Sequence, residues 1–168
     1  MVLSRRALAW LPAGLWMAVI FSLSAQPRAE SSAQSGPVAS ALLAVLNWAL
    51  PGSLEPGLAP ETLEAAEHLL RKTAHFLAYL VLGVLTARAW RVARGGTAVK
   101  DNGRGGGVGK RRDLGAIAGP LAVCVVYAAS DELHQLLVPG RSGEFGDVLL
   151  DSLGALAGVL LYLRFRRR

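Results

Sequence analysis

Four long apolar runs dominate the chain: Ala7 to Ala25, Thr73 to Trp90, Leu114 to Val138 and Val148 to Leu163. A helix needs about 20 apolar residues to cross the hydrocarbon of a bilayer, and inside it the backbone must satisfy its own hydrogen bonds. The expected fold is therefore all-α, an integral membrane four-helix bundle forming a single domain over 1–168. The fourth run reaches a full span only by taking in Phe145 to Asp147, so Asp147 and Asp151 are expected at or just below an interface. Hydrophobic residues make up 52% of the chain while the net charge is +6. The basic residues fall in blocks between apolar runs rather than interleaved with aromatics, which argues against a nucleic-acid partner and for the lipid bilayer.

The segments between runs carry their own signals. Ser24-Ala25-Gln26-Pro27 superficially resembles a signal-peptide cleavage region, and Ser4-Arg5-Arg6 a twin-arginine signal, but a retained first membrane helix is the expectation. Val38 to Leu50 is too short to span. It reads as an extracytoplasmic amphipathic or interfacial helical segment with Trp48 at headgroup depth, ended by Pro51-Gly52. A new helix is expected to open at Pro60, with Glu61, Glu64 and Glu67 complementing its positive end. Residues 91–112, rich in Gly, Arg and Lys, read as a flexible basic cytoplasmic connector attracted to anionic headgroups. A phosphate loop there fails on spacing, because Arg104 stands where the first glycine belongs and Arg111 follows Lys110. The single cysteine, Cys124, allows no intrachain disulfide and no Cys-rich metal motif.

Charge sets the expected orientation. With both termini cytoplasmic, two basic residues before the first run, eight over 88–112 and four in the tail lie inside, fourteen of eighteen. Arg28, Arg71, Lys72 and Arg141 lie outside. The polar residues of runs two, three and four then all fall at the outer ends of their helices.

Helical spacing groups those residues. Lys72, His75 and Tyr79 share one face of run two, continued by Gly83 and Thr86. Asp131, His134 and Gln135 share a face of run three, with Glu132 about 100° away. Asp147, Asp151, Gly154 and Gly158 form one stripe on run four, and the small-xxx-small pair should turn that stripe into the bundle. Arg141, in the turn Pro139-Gly140-Arg141, can fold over the mouth. Charges at membrane depth are tolerated only as a network, costing about 2.5–3.5 kcal/mol each at the bilayer centre. His75, Asp131, Glu132 and His134 are the candidates for acid–base chemistry. Lys72, Tyr79, Gln135, Arg141, Asp147 and Asp151 are the candidates for ligand binding, with Tyr79 expected as a core tyrosine hydrogen-bonded to the network. His68 is expected to be solvated. No short-spaced ligand motif supports a metal centre built from His75, His134 and the acids, and no cofactor is expected.

The same residues carry a resemblance to the VanZ-like membrane proteins. Phe21-Ser22-Leu23-Ser24-Ala25-Gln26-Pro27 resembles the end of that family's first helix, and Lys72, His75 and Tyr79 its Lys-x-x-His-x-x-x-Tyr segment. Ser130-Asp131-Glu132-Leu133-His134-Gln135, Pro139-Gly140-Arg141, Asp147 and the Gly154/Gly158 pair resemble its most distinctive stretch. The basic Gly-rich connector looks like an insertion, and Asp151 stands where many relatives have Asn. The resemblance implies a multi-pass protein of the bacterial plasma membrane, in a family named for a member associated with resistance to the glycopeptide teicoplanin.

Two function classes follow. In the first, a cell-envelope protein binds or modifies a lipid-linked or cell-wall ligand at the outer leaflet, with Lys72 and Arg141 holding an anionic group. In the second, a membrane module without turnover uses the polar cluster to lock its helices or meet a partner. A carrier ranks below both, since the polar residues do not extend through the bilayer.

Overall fold

The computed structural model describes residues 4–51, 60–95 and 106–166, with the backbone alone over 106–113. Among the described residues six helices follow one another: α1 (Arg5–Leu8), α2 (Leu11–Ser24), α3 (Arg28–Ala49), α4 (Pro60–Ala93), α5 (Gly106–Gln135) and α6 (Phe145–Arg166). Four stretches are long and apolar enough to cross a membrane: Arg5–Ser24, Pro60–Ala93, Leu114–Gln135 and Phe145–Arg166. They correspond to the four runs. The first is interrupted at Ala9–Trp10, just before Pro12, whose missing N–H is tolerated at the start of a helix. Leu15, Leu77, Val126, Leu153 and Leu160 are among many large apolar side chains pointing away from the bundle. An apolar surface of that extent is the surface of a protein solvated by lipid.

The seam between α4 and α6 sets the geometry of everything else. A methyl group built on Gly83 would fall on the Ala155 carbonyl, one on Gly154 on the Phe76 carbonyl, and one on Gly158 on the Leu80 carbonyl. The backbones therefore touch at three levels, which only glycine permits, and dispersion between closely packed backbones substitutes for the hydrophobic effect that lipid removes. Tyr79, Leu82, Cys124, Ala128 and Ala155 make the buried centre of the bundle. Helix α2 is fastened to this core by two aromatic donors. Trp16 Nε1 donates to the Ala78 carbonyl at 2.8 Å, and the Tyr127 hydroxyl donates to the Met17 carbonyl at 2.7 Å.

The segment between the first two spans is a longer helix than its apolar content suggests. It runs from Arg28 to Ala49 through Pro37, where Val38 to Leu50 alone was expected. Its polar first half is helical because it packs on the polar first half of α4: Arg71 reaches Ser32 Oγ at 3.2 Å, and Gly36 lies against the Glu67 carboxylate. Its second half leaves Val38, Leu42, Val45 and Trp48 exposed as an apolar face. Helix α4 opens at Pro60 as expected. The ends of α4 and α5 extend into the expected connector, whose middle, 96–105, lies outside the described residues.

Candidate functional site

At the end of the bundle where α3 begins and α5 turns into α6, a cavity of about 280 Å³ opens between the helices. Its upper wall is basic. Arg28 comes from the first turn of α3, Arg71 and Lys72 from α4, and Arg141 from the α5–α6 turn. That turn is held in place by local geometry. Gly140 takes φ +74°, a conformation that favours glycine, and the Arg28 amide donates to the Pro139 carbonyl at 3.3 Å. Arg141 Nε donates to the Gln26 carbonyl at 3.0 Å, so the guanidinium is anchored at one edge while the side chain lines the cavity.

The four cations are unequally neutralised. Lys72 forms an ion pair with Asp147 and a longer one with Glu144 at 3.5 Å, while Arg71 lies 3.7 Å from Glu67. Arg28 and Arg141 have no carboxylate partner among the described residues. Burial first, and then the charge of Arg71, pull the Arg141 guanidinium below its ordinary range; Asp131 and Glu132 pull the other way, and Arg28 adds the least. Crowded positive charge of this kind is relieved by an anion.

Below the cations lies an acidic floor. His75 of α4 and Asp151 of α6 face each other, Nδ1 to Oδ2, at 3.6 Å, and both line the cavity. Asp131 of α5 sits beside them, and one ligating atom from each of the three lies within 4.8 Å of the others. Asp151 is fully buried and Asp131 is 2% exposed. Asp131 Oδ2 accepts from Ser24 Oγ at 2.8 Å and from Gln135 Nε2 at 3.4 Å. Its other oxygen, both oxygens of Asp151 and the Tyr79 hydroxyl are buried without a hydrogen-bond partner among the described residues.

The residues singled out from sequence thus separate into four places. Lys72, His75, Gln135, Arg141, Asp147 and Asp151 meet at the cavity, with Asp131 just behind its floor. Glu132 is buried beneath the α5–α6 turn. Its Oε2 accepts the Glu144 backbone N–H at 2.8 Å and its Oε1 accepts from Gln135 Nε2 at 3.3 Å, so this carboxylate holds the start of α6. His134 stacks on the Phe21 ring, centroids 4.4 Å apart, and so faces α2 rather than the cavity. Tyr79 is a core residue as expected, but the expected hydrogen bond is absent: its ring lies 6.1 Å from that of Tyr127 and its hydroxyl reaches no partner. His68 is exposed as expected, yet at the cavity rim.

Four contributors were not foreseen: Arg28, Arg71, Glu144 and Ser24. Arg71 is adjacent to Lys72 and so turned about 100° from it, a spacing that sequence periodicity assigns to another face. It faces the cavity because α3 covers that side, and nothing in a one-dimensional pattern announces such a cover.

A family model described as VanZ/LLP1 matches residues 9–166. No curated protein and no solved structure matches the chain. The match takes in everything from α2 to the end of α6, leaving out only α1 of the helices, and the chain therefore belongs to the VanZ/LLP1 family.

Proposed function

We propose that this member of the VanZ/LLP1 family binds the anionic group of a lipid-linked or cell-wall ligand at the outer leaflet of the bacterial plasma membrane, in the cavity roofed by Arg28, Arg71, Lys72 and Arg141. The carrying observation is that four cations from three separate segments surround one opening while two of them lack a carboxylate partner. Arginine's planar fork matches phosphate geometry, and charge-assisted hydrogen bonds of this type contribute about 1.5–3 kcal/mol. The volume suits a headgroup rather than a whole lipid, whose tail would lie against the exposed apolar flank of the bundle. Basic residues concentrated at the opposite ends of the spans support an orientation with both termini cytoplasmic and the cavity outside. The apolar outer face of α3 supports its lying in the same outer interface.

The test uses the full chain in phosphatidylcholine nanodiscs and a short isoprenyl phosphate as probe, with the matching isoprenol as control. Native mass spectrometry should register the phosphate and not the alcohol, and Arg141→Gln should weaken binding at least tenfold, about 1.4 kcal/mol. Equal binding of phosphate and alcohol, or an Arg141→Gln variant with unchanged affinity, would remove the basis of this reading. Teicoplanin susceptibility of cells carrying the same variants tests the association that the family resemblance implies.

A second reading, a helix lock without a ligand, is favoured by the ties from Lys72 to Asp147 and from Glu132 to the Glu144 amide. Those ties fix the start of α6 against α4 and α5. They leave the charges of Arg28 and Arg141 without a carboxylate partner, although Arg141 is tied to the Gln26 carbonyl, which is why binding is preferred.

A further inference from the structure

We propose that His75, Asp131 and Asp151 form a binding site for a divalent transition-metal cation at the floor of the cavity. Three helices each contribute one ligand, and the ligating atoms converge within 4.8 Å of one another. The His75–Asp151 separation of 3.6 Å is too long for a hydrogen bond. It is close to the edge of a tetrahedron, about 3.4 Å, expected around an ion with bonds of about 2.1 Å.

Burial makes the case stronger than convergence alone. Asp151 is fully buried, yet neither of its oxygens has a hydrogen-bond partner. Asp131 presents one oxygen with no partner, while the other is oriented by Ser24 and Gln135. No lysine or arginine pairs with either carboxylate among the described residues. The Tyr79 hydroxyl, one turn below His75 on the same α4 face, is buried and unpartnered as well.

Two buried carboxylates facing one imidazole, with three of their four oxygens lacking a donor, are costly on their own, and a dication neutralises both at once. The bonds from Ser24 and Gln135 to the far oxygen of Asp131 are of the kind that orient a ligating carboxylate from behind. Contact between the α4 and α6 backbones at Gly83, Gly154 and Gly158 holds His75 and Asp151 at fixed separation. One imidazole with two carboxylates suits Zn²⁺ or Mn²⁺ better than Ca²⁺ or Mg²⁺, which favour all-oxygen shells. Because His75 and Asp151 line the cavity, an ion here would keep a coordination position open toward the space below the four cations. That last link, to an anion's oxygen, rests on the proposed function; the ion site itself does not.

The experiment takes the full chain in detergent micelles, stripped with chelator, and titrates it calorimetrically with Zn²⁺ and, separately, Mn²⁺ in buffer free of phosphate. One equivalent of at least one of the two ions should bind per chain and raise the thermal unfolding midpoint. Asp151→Asn, which keeps shape and removes charge, should lower affinity at least tenfold and abolish the ion-dependent rise, with helix content unchanged. His75→Ala should do the same. Arg141→Gln should bind the ion as the wild type does, which separates this site from the anion reading. A wild-type chain that takes up neither ion would overturn the proposal. So would binding that persists in both the Asp151→Asn and the His75→Ala variant.

Discussion

Replacing Gly154 with alanine is the sharpest test of the packing that positions the site. The added methyl would fall on the Phe76 carbonyl, a backbone atom of α4 that cannot rotate away. Either α4 and α6 separate or the backbone distorts, and overpacking of this kind costs about 1–3 kcal/mol. Gly146, eight residues earlier on the same helix, provides the internal control. A methyl there meets nothing within 4 Å. Gly146→Ala therefore carries only the propensity gain of alanine over glycine, at most about 1 kcal/mol in the stabilising direction. One substitution at two places on one helix should thus act with opposite signs. Thermal unfolding in nanodiscs, followed by helix content, reads both. Separation of the helices would also draw Asp151 away from His75, so Gly154→Ala should weaken any ligand of the cavity although it touches none of the polar groups. If Gly154→Ala matched or exceeded wild-type stability, or both variants shifted the midpoint equally, the close-contact account of the α4–α6 seam would be wrong.

Three further outcomes are expected. Glu132→Gln sets an amide nitrogen against backbone and Gln135 donors and should destabilise the chain by about 1–3 kcal/mol, read as a lower unfolding midpoint; an unchanged midpoint would contradict the tie to α6. A cysteine placed at Ser142, in the exposed α5–α6 turn, should react with a membrane-impermeant maleimide added to intact cells whose outer membrane has been opened. Labelling only after lysis of the inner membrane would reverse the topology. Trp48, 83% exposed on the apolar face of α3, should be quenched in a single-tryptophan variant by lipids spin-labelled near the headgroup and not by water-soluble iodide. The reverse pattern would lift α3 off the interface.

Much of this molecule was legible in one dimension, for a physical reason. A bilayer forces long apolar segments and allows charge inside only where it is paired, so length, composition and the basic blocks reveal the spans without tertiary knowledge. Helical periodicity then brings Lys72, His75 and Tyr79 to one face, and Asp147, Asp151, Gly154 and Gly158 to another, as they stand in the fold. Periodicity failed where a residue's direction depends on its neighbours. Asp131, His134 and Gln135 share a face by spacing, but the Phe21 ring on α2 captures His134 while Asp131 and Gln135 turn inward. Glu132 looked like a free acid because the backbone amide that it caps lies twelve residues ahead. Arg28 and Arg71 could only be counted among the basic residues on the outer side, since their convergence requires knowing that α3 folds back over α4.

The vertical order of charge is what joins these pieces. Cations line the mouth, ion-paired acids come next, and the most buried acids, Asp131 and Asp151, form the floor with three of their four oxygens lacking a donor. A network serving only cohesion would pair its deepest charges first, because the desolvation cost of an unpaired ion grows with burial. Here the deepest carboxylate, Asp151, has only the His75 imidazole at 3.6 Å and no hydrogen-bond partner, while the more exposed Lys72 has two acidic partners. That inversion is the arrangement expected of a site whose neutralising partner comes from outside the chain: a cation below and an anion above.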